Sequence, residues 1–211
     1  GIIRVNKARK LDNYQELEKV FLKNSRDYYR EKTSRQIISN PCNIYLLYVK
    51  ETYGQENYRV SNYLDESTRP KLMAILKEIL IENQLVQLIQ NDSYGLIKLV
   101  NNNDISSLTL LWKFVSKNDE YVEIVTDKIY NYIIQEGSSI VDDHVNNIMK
   151  LYQKWMNILK DGFNKFRRIE VYIDRAFTKV INDTGVEYIN MFAKDLNILI
   201  QKSKDIDMAI A

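Results

Sequence analysis

Across 211 residues the chain holds only six glycines and two prolines, and this scarcity limits the possible folds more than any other feature of the sequence. Barrels, sandwiches and doubly wound sheets turn often, and their turns need residues that reach positive φ or fix φ without a backbone donor. A chain with so few of them must run in long uninterrupted elements. No stretch alternates apolar and polar residues with a period of two, so those elements are read as helices.

The first predicted helix starts at Asp12, an N-cap with Gln15 three residues on as in a capping box, and carries Leu17, Val20, Phe21 and Tyr28 on one face. It runs to about Ile38, where Ser39-Asn40-Pro41 stops it, because the residue before proline is pushed out of the α region. A second helix carries Ile44, Leu47, Tyr48, Val60, Tyr63 and Leu64, with Gly54 inside it. Ser67-Thr68-Arg69-Pro70 is a start signal, a hydroxyl cap followed by proline in the first turn, and the stripe behind it reads Leu72, Ile75, Leu76, Ile79, Leu80, Val86, Ile89.

Asn91 to Gly95 breaks that stripe, and a short piece from Leu96 to Val100 follows. Asp104 is placed to cap a helix through Trp112 and Val115, and Asn118-Asp119 opens another with Val122, Val125, Ile129 and Ile133, ended by Gly137 in the C-terminal glycine position. The grammar then restarts. Asp142-Asp143 opens a helix with Val145, Ile148, Tyr152, Trp155 and Leu159, closed by Gly162; a further helix spans about Phe166 to Asn182; and Thr184-Gly185-Val186-Glu187 is a capping box for a last one through Leu199. The expected fold is all-α, an elongated stack of antiparallel helical bundles. Its parts are an N-terminal extension at 1–11, a five-helix bundle at 12–140 and three more helices at 141–211.

Little in the sequence carries reactive chemistry. One Cys and one His exclude a disulfide framework and a Cys/His zinc site. Asp142-Asp143-His144 lacks a second imidazole or a facing Glu, so its acids are read as complementing the positive end of a helix. Cys42 is read as a small buried thiol. The Asn101–Asp104 run has no calcium-loop spacing, and the glycines stand too far apart for a phosphate loop. The net charge of +2 is too small for phosphate neutralisation to dominate binding, so Lys7-Ala8-Arg9-Lys10 and Lys165-Phe166-Arg167-Arg168 with Tyr172 are read as solvated surface. The longest apolar run, Ile44 to Val49, falls far short of the roughly 20 residues of a membrane helix. No catalytic residue, cofactor site or metal site is expected, nor a nucleic-acid or membrane partner. The tyrosines with Trp112 and Trp155 are assigned to packing between helices.

Glu56-Asn57-Tyr58-Arg59-Val60-Ser61-Asn62-Tyr63-Leu64-Asp65-Glu66-Ser67-Thr68-Arg69-Pro70-Lys71-Leu72 resembles the second repeat of the cullin scaffolds of ubiquitin ligases. That family shows a Glu, an Arg-Val pair, a Tyr-Leu pair, then a Ser-Thr helix start followed by Leu. Tyr28 to Thr33, Leu80-Ile81-Glu82, and Ile133 with Gly137 and Ile140 fit the same repeat, and Trp155, Phe163, Asp174-Arg175-Ala176-Phe177 and Ile181-Asn182 resemble the start of the next. The likeness runs from Tyr14 to Lys202. Two positions depart from the pattern: Tyr132 stands where the family often has His, and Thr33 where it usually has Ser.

The resemblance implies a piece of the cullin stalk, the second repeat and the first three helices of the third, cut from a longer chain. The substrate adaptor and the RING-box protein would bind regions outside it. The implied role is a rigid, non-catalytic, monomeric spacer in the cytoplasm and nucleus, with Arg59, Tyr63, Ser67, Thr68, Gly137 and Trp155 in structural roles. A helical-rod tether or a generic helical-repeat adaptor shares the same periodicity and is the alternative.

Overall fold

The computed structural model describes residues 2–140 and 143–183, and each regular element among them is helical. In chain order these are α1 (Ile2–Ser39), α2 (Cys42–Tyr63), α3 (Thr68–Leu76), a π-helical segment (Lys77–Glu82), α4 (Leu85–Gln90), α5 (Leu96–Asn101), α6 (Ile105–Val115), α7 (Asp119–Ser138), α8 (His144–Gly162) and α9 (Arg167–Asp183). The all-α class read from the sequence is the class the chain adopts. It divides into two compact units, Gly1–Lys117 and Asn118–Ala211. The division expected after Ile140 concerns repeat pattern rather than packing and returns below as a proposal.

In the first unit, local chemistry sets most helix ends. Pro41 precedes α2 in an extended conformation (ψ 160°), Asp104 accepts the Ser107 amide at 3.0 Å to cap α6, and α3 starts at Thr68 with Pro70 in its first turn. Gly95 is fixed by space: a Cβ there would lie 2.4 Å from the Asn91 carbonyl oxygen and 2.5 Å from that of Leu88. Cys42, Tyr45, Leu46, Val49, Leu72, Leu76, Leu80, Leu88, Leu96 and Leu108 form the core.

The structure corrects three readings in this unit. Helix α1 starts at Ile2, because nothing between it and Leu11 breaks a helix; Asp12 therefore lies inside the helix and does not cap it. The long helix expected from Leu72 to Ile89 passes through a π-helical segment and a turn at Asn83-Gln84 before resuming as α4.

The third correction concerns the inward faces of α1 and α2. Helix α1 buries Glu18, Ser25, Tyr29, Thr33 and Ile37, while Leu17 (60% exposed), Val20 and Tyr28 face outward. Helix α2 buries Thr52 and Glu56 in line with Tyr45, Val49 and Val60, and leaves Ile44, Leu47 and Tyr63 exposed. Both helices turn a partly polar face inward, which a search for apolar stripes passes over.

In the second unit, Asn118 caps α7 by accepting the Glu120 amide at 2.9 Å. Helix α7 packs along α9, with Val122, Val125, Ile129 and Ile133 from one and Ile169, Ile173, Phe177 and Val180 from the other buried. Helix α8 contributes Ile148, Leu151, Trp155 and Leu159 to the buried set. Gly137 does not end α7 in the expected C-terminal glycine position. The helix runs on to Ser138, with Ser139 as its cap, and Gly137 is present because a Cβ would sit 2.9 Å from both Val180 methyl carbons. Asp143 precedes α8 at φ 42°, and its carboxylate accepts from the Asn146 amide side chain at 2.8 Å rather than from a backbone N–H. Asp142 and the Thr184–Glu187 capping box with its helix lie outside the described residues, as do the side chains of His144 and of Lys7 to Lys10.

Candidate functional site

The segment that carries the strongest sequence signal, Glu56 to Leu72, folds as the end of α2, a tight turn and the start of α3. The turn closes on itself: Asp65 accepts the Ser67 amide through its side chain (2.9 Å) and the Thr68 amide through its carbonyl (2.9 Å). Ser67 thus takes its predicted place at the helix start, although its own side chain makes no cap bond.

Thr68 was expected to cap α3 but instead faces α1. It is fully buried, and its hydroxyl donates to Glu18 Oε1 at 2.7 Å. With that proton committed, the Tyr14 hydroxyl, 2.7 Å from Thr68 Oγ1, donates to Thr68 and accepts the Asp65 amide at 2.7 Å. Lys71 Nζ lies 2.6 Å from Glu18 Oε2. The hydrogen bonds from Lys71 and Thr68 hold the Glu18 carboxyl below the usual carboxylate range. One helix is thereby pinned to the turn between the next two.

On the outer side of the same turn Arg69 spans α2 and α3. Its guanidinium meets Glu66 at 2.8 and 2.9 Å, donates to Asn57 Oδ1 at 2.6 Å and donates to Ser61 Oγ at 2.7 Å, the bidentate geometry that lysine cannot supply. Two turns up α2, Glu56 is 0% exposed; Oε1 accepts from the Tyr29 hydroxyl of α1 and lies 3.1 Å from Arg59 Nη1. Arg59 therefore does have a structural partner. Tyr63 does not join the junction: it is 74% exposed and borders a shallow groove of about 660 Å³ with Gly54, Gln55, Tyr58, Arg59 and Leu64. Of the four residues singled out here, Thr68 and Arg59 lie in the interlocking network, Ser67 shapes the turn and Tyr63 lies outside it.

Sequence reasoning missed Tyr14, Glu18, Lys71 and Arg69 as members of this junction. Only Arg69 carried a local signal, Glu66 three residues before it; the others meet across a sequence separation of 50 residues or more. In the second unit Trp155 is buried with the Tyr132 ring 6.3 Å from its own, and Gly137 meets Val180. Tyr132, the departure from the family's His, thus packs edge to face against the central tryptophan.

Burial pushes the Cys42 thiol up to about 12, which keeps it protonated near neutral pH. Arg167 pairs with Glu170 at 2.8 Å, and Arg168 lies 3.8 Å from Asp119 and 3.9 Å from Glu123, so these two cations of the predicted basic cluster are matched by carboxylates. Among the described residues no group of three or more His, Cys, Asp or Glu side chains could hold a metal ion, and no described helix is long and apolar enough to cross a membrane. The polar groups of the junction are directed at other helices of the chain, an arrangement that fixes geometry.

Two predictions test the junction. Thr68→Val keeps the shape and removes the hydroxyl, and chemical denaturation is expected to show a loss of about 1–3 kcal/mol from the buried carboxylate oxygen left short of a donor; an unchanged midpoint would remove Thr68 from the network. Because the folded-state Glu18 carboxyl is held low, its contribution is present above the unfolded carboxylate value and is lost as pH falls through the folded one. Stability measured across the acid range should therefore fall more steeply for the parent chain than for Glu18→Gln, and parallel curves would contradict the assignment.

A family model described as the Cullin alpha solenoid domain matches residues 4–208. Among individual proteins the chain is similar to "Cullin-3" of Dictyostelium discoideum, 26% identical over 189 residues, which covers 84% of this chain and 25% of that protein. "Cullin-2" of Arabidopsis thaliana is 26% identical over 172 residues, 78% of this chain and 23% of the relative. "Putative cullin-like protein 1" of Arabidopsis thaliana is 23% identical over 185 residues, 81% of this chain and 26% of the relative. The chain spans about a quarter of the length of these relatives.

Proposed function

Because this chain belongs to the cullin family, we propose that it is a non-catalytic scaffold segment of a cullin–RING ubiquitin ligase. In this reading residues 12–140 are the second cullin repeat and 141–211 the first three helices of the third. The segment holds a substrate adaptor at a set distance from the RING-box protein and the conjugating enzyme it recruits, both bound elsewhere on the longer chain, in the cytoplasm and nucleus. Such a spacer raises the effective concentration of a substrate lysine near the thioester only while it keeps one shape.

The observation that carries the proposal is the family match over 4–208, which contains the whole interlocked junction of α1, α2 and α3. Ties of the kind made by Glu18, Thr68, Lys71 and Arg69 restrict sliding and rotation of neighbouring helices, which is what a spacer needs. The test is affinity purification of the full-length protein from its own cells. Recovery of a RING-box protein, together with a ubiquitin-like modifier conjugated to the bait, is the expected result. Recovery of membrane-tethering subunits with neither of these would favour the helical-rod tether.

A further inference from the structure

Between α3 and α4 the chain holds six residues, Lys77–Glu82, in a π-helix. A π-helix closes its backbone bonds over five residues instead of four, and carbonyls near its end depend on donors that lie beyond it. Four carbonyls of the segment receive such donors. The Asn83 amide donates to the Glu78 carbonyl (3.0 Å) and the Gln84 amide to that of Ile81 (2.9 Å). The Gln84 side chain donates to the Ile79 carbonyl (3.3 Å), and the buried Tyr45 hydroxyl of α2 donates to that of Leu80 (2.7 Å).

Side-chain spacing follows the same register. Lys77 and Glu82, five apart, form an ion pair at 2.6 Å, and Leu76 with Ile81 and Leu80 with Leu85 repeat the five-residue interval among buried positions. In an α-helix residues five apart diverge by about 140°. The segment also carries Glu78, whose carboxylate meets Arg26 of α1 at 2.6 Å.

We propose that Tyr45 acts as a register key: its hydroxyl holds Lys77–Glu82 in the π rather than the α form, and the π form allows Glu78 to reach Arg26 while Leu85 stays in the core. The segment is then a two-state element placed between α1 and α2. Relaxation to an α-helix rotates one flank against the other by about 100°, the angle of one residue; with the buried Leu85 anchored in the core, Glu78 is carried away from Arg26. Burial pushes the Tyr45 phenol upward, which keeps the key protonated as a donor at any ordinary pH.

The test is Tyr45→Phe in the full 211-residue chain, followed by amide hydrogen exchange. The ring and its packing remain and only the donor is lost. Exchange at Asn83 and Gln84 is expected to rise by about tenfold, the effect of leaving one buried acceptor unpaired, while the amide of Ile129 in the second unit keeps its rate. Uniform acceleration across the chain, or no acceleration, overturns the proposal. Should Tyr45→Phe fail to fold, Gln84→Met removes the other side-chain donor to the same turn and must give the same local pattern. The energetic coupling between Arg26 and Glu78, measured by a double-mutant cycle, should be present in the parent and lost in Tyr45→Phe; coupling that survives also overturns it.

Discussion

Trp155→Ala is expected to lower the unfolding free energy of the chain by about 3–5 kcal/mol, the range for removing a large aromatic ring from a packed interior. Trp155 lies in α8 at 0% exposure with Tyr132 of α7 edge to face against it. Deleting the indole thus opens a cavity lined by two helices and breaks an aromatic pair. The cost depends on how far that lining collapses, and the buried Ile148, Leu151 and Leu159 of the same helix restrict the collapse. Trp155→Phe should be far milder, because the indole N–H has no hydrogen-bond partner among the described residues and its removal takes an unpaired donor out of the interior. Urea denaturation of both variants decides the matter. Equal losses for Ala and Phe would mean that the indole's volume is not what the site uses.

Gly137→Val should destabilise by about 3 kcal/mol, the upper end of what overpacking costs. The reason is geometric: even a Cβ at this position lies 2.9 Å from both Val180 methyl carbons, and valine adds two further carbons on a helix surface where χ1 is restricted. The clash names its own suppressor. Val180→Ala removes the two methyl carbons, so the double variant should be less destabilised than the sum of the singles, with a coupling of about 1 kcal/mol or more. Strict additivity would show that α7 and α9 separate locally instead of clashing, and would deprive Gly137 of its assigned role.

What could be read from the sequence was chemistry that acts within a few residues. Pro41, Asp104 and Asn118 act on the backbone next to them: α1 stops before Pro41 as expected, and Asp104 and Asn118 mark helix starts where they were expected. Thr68 shows the limit: the position of the helix start was legible, but the hydroxyl serves Glu18 rather than the backbone, because a partner 50 residues away competes successfully for it. Glu18 and Glu56 misled the reading of whole faces, since a carboxylate counts as a surface residue until the group that neutralises or hydrogen-bonds it is known. The π segment was invisible for a different reason. It shifts the apolar spacing by a single residue, and Ile79 and Leu80 read equally well as part of an ordinary stripe.

The partly polar inner face of α1 bears on how a chain built from similar helices avoids mispairing while it folds. An entirely apolar stripe would accept any other apolar stripe, at any offset of one turn. Glu18 needs Thr68 and Lys71, Arg26 needs Glu78, and Tyr29 needs Glu56, three demands at fixed heights along one rod. A slipped or borrowed helix would bury at least the Glu18 and Glu56 carboxylates away from these partners, at several kcal/mol. The junction therefore favours the native helix neighbours over slipped or borrowed ones, each wrong pairing leaving a polar group without its match.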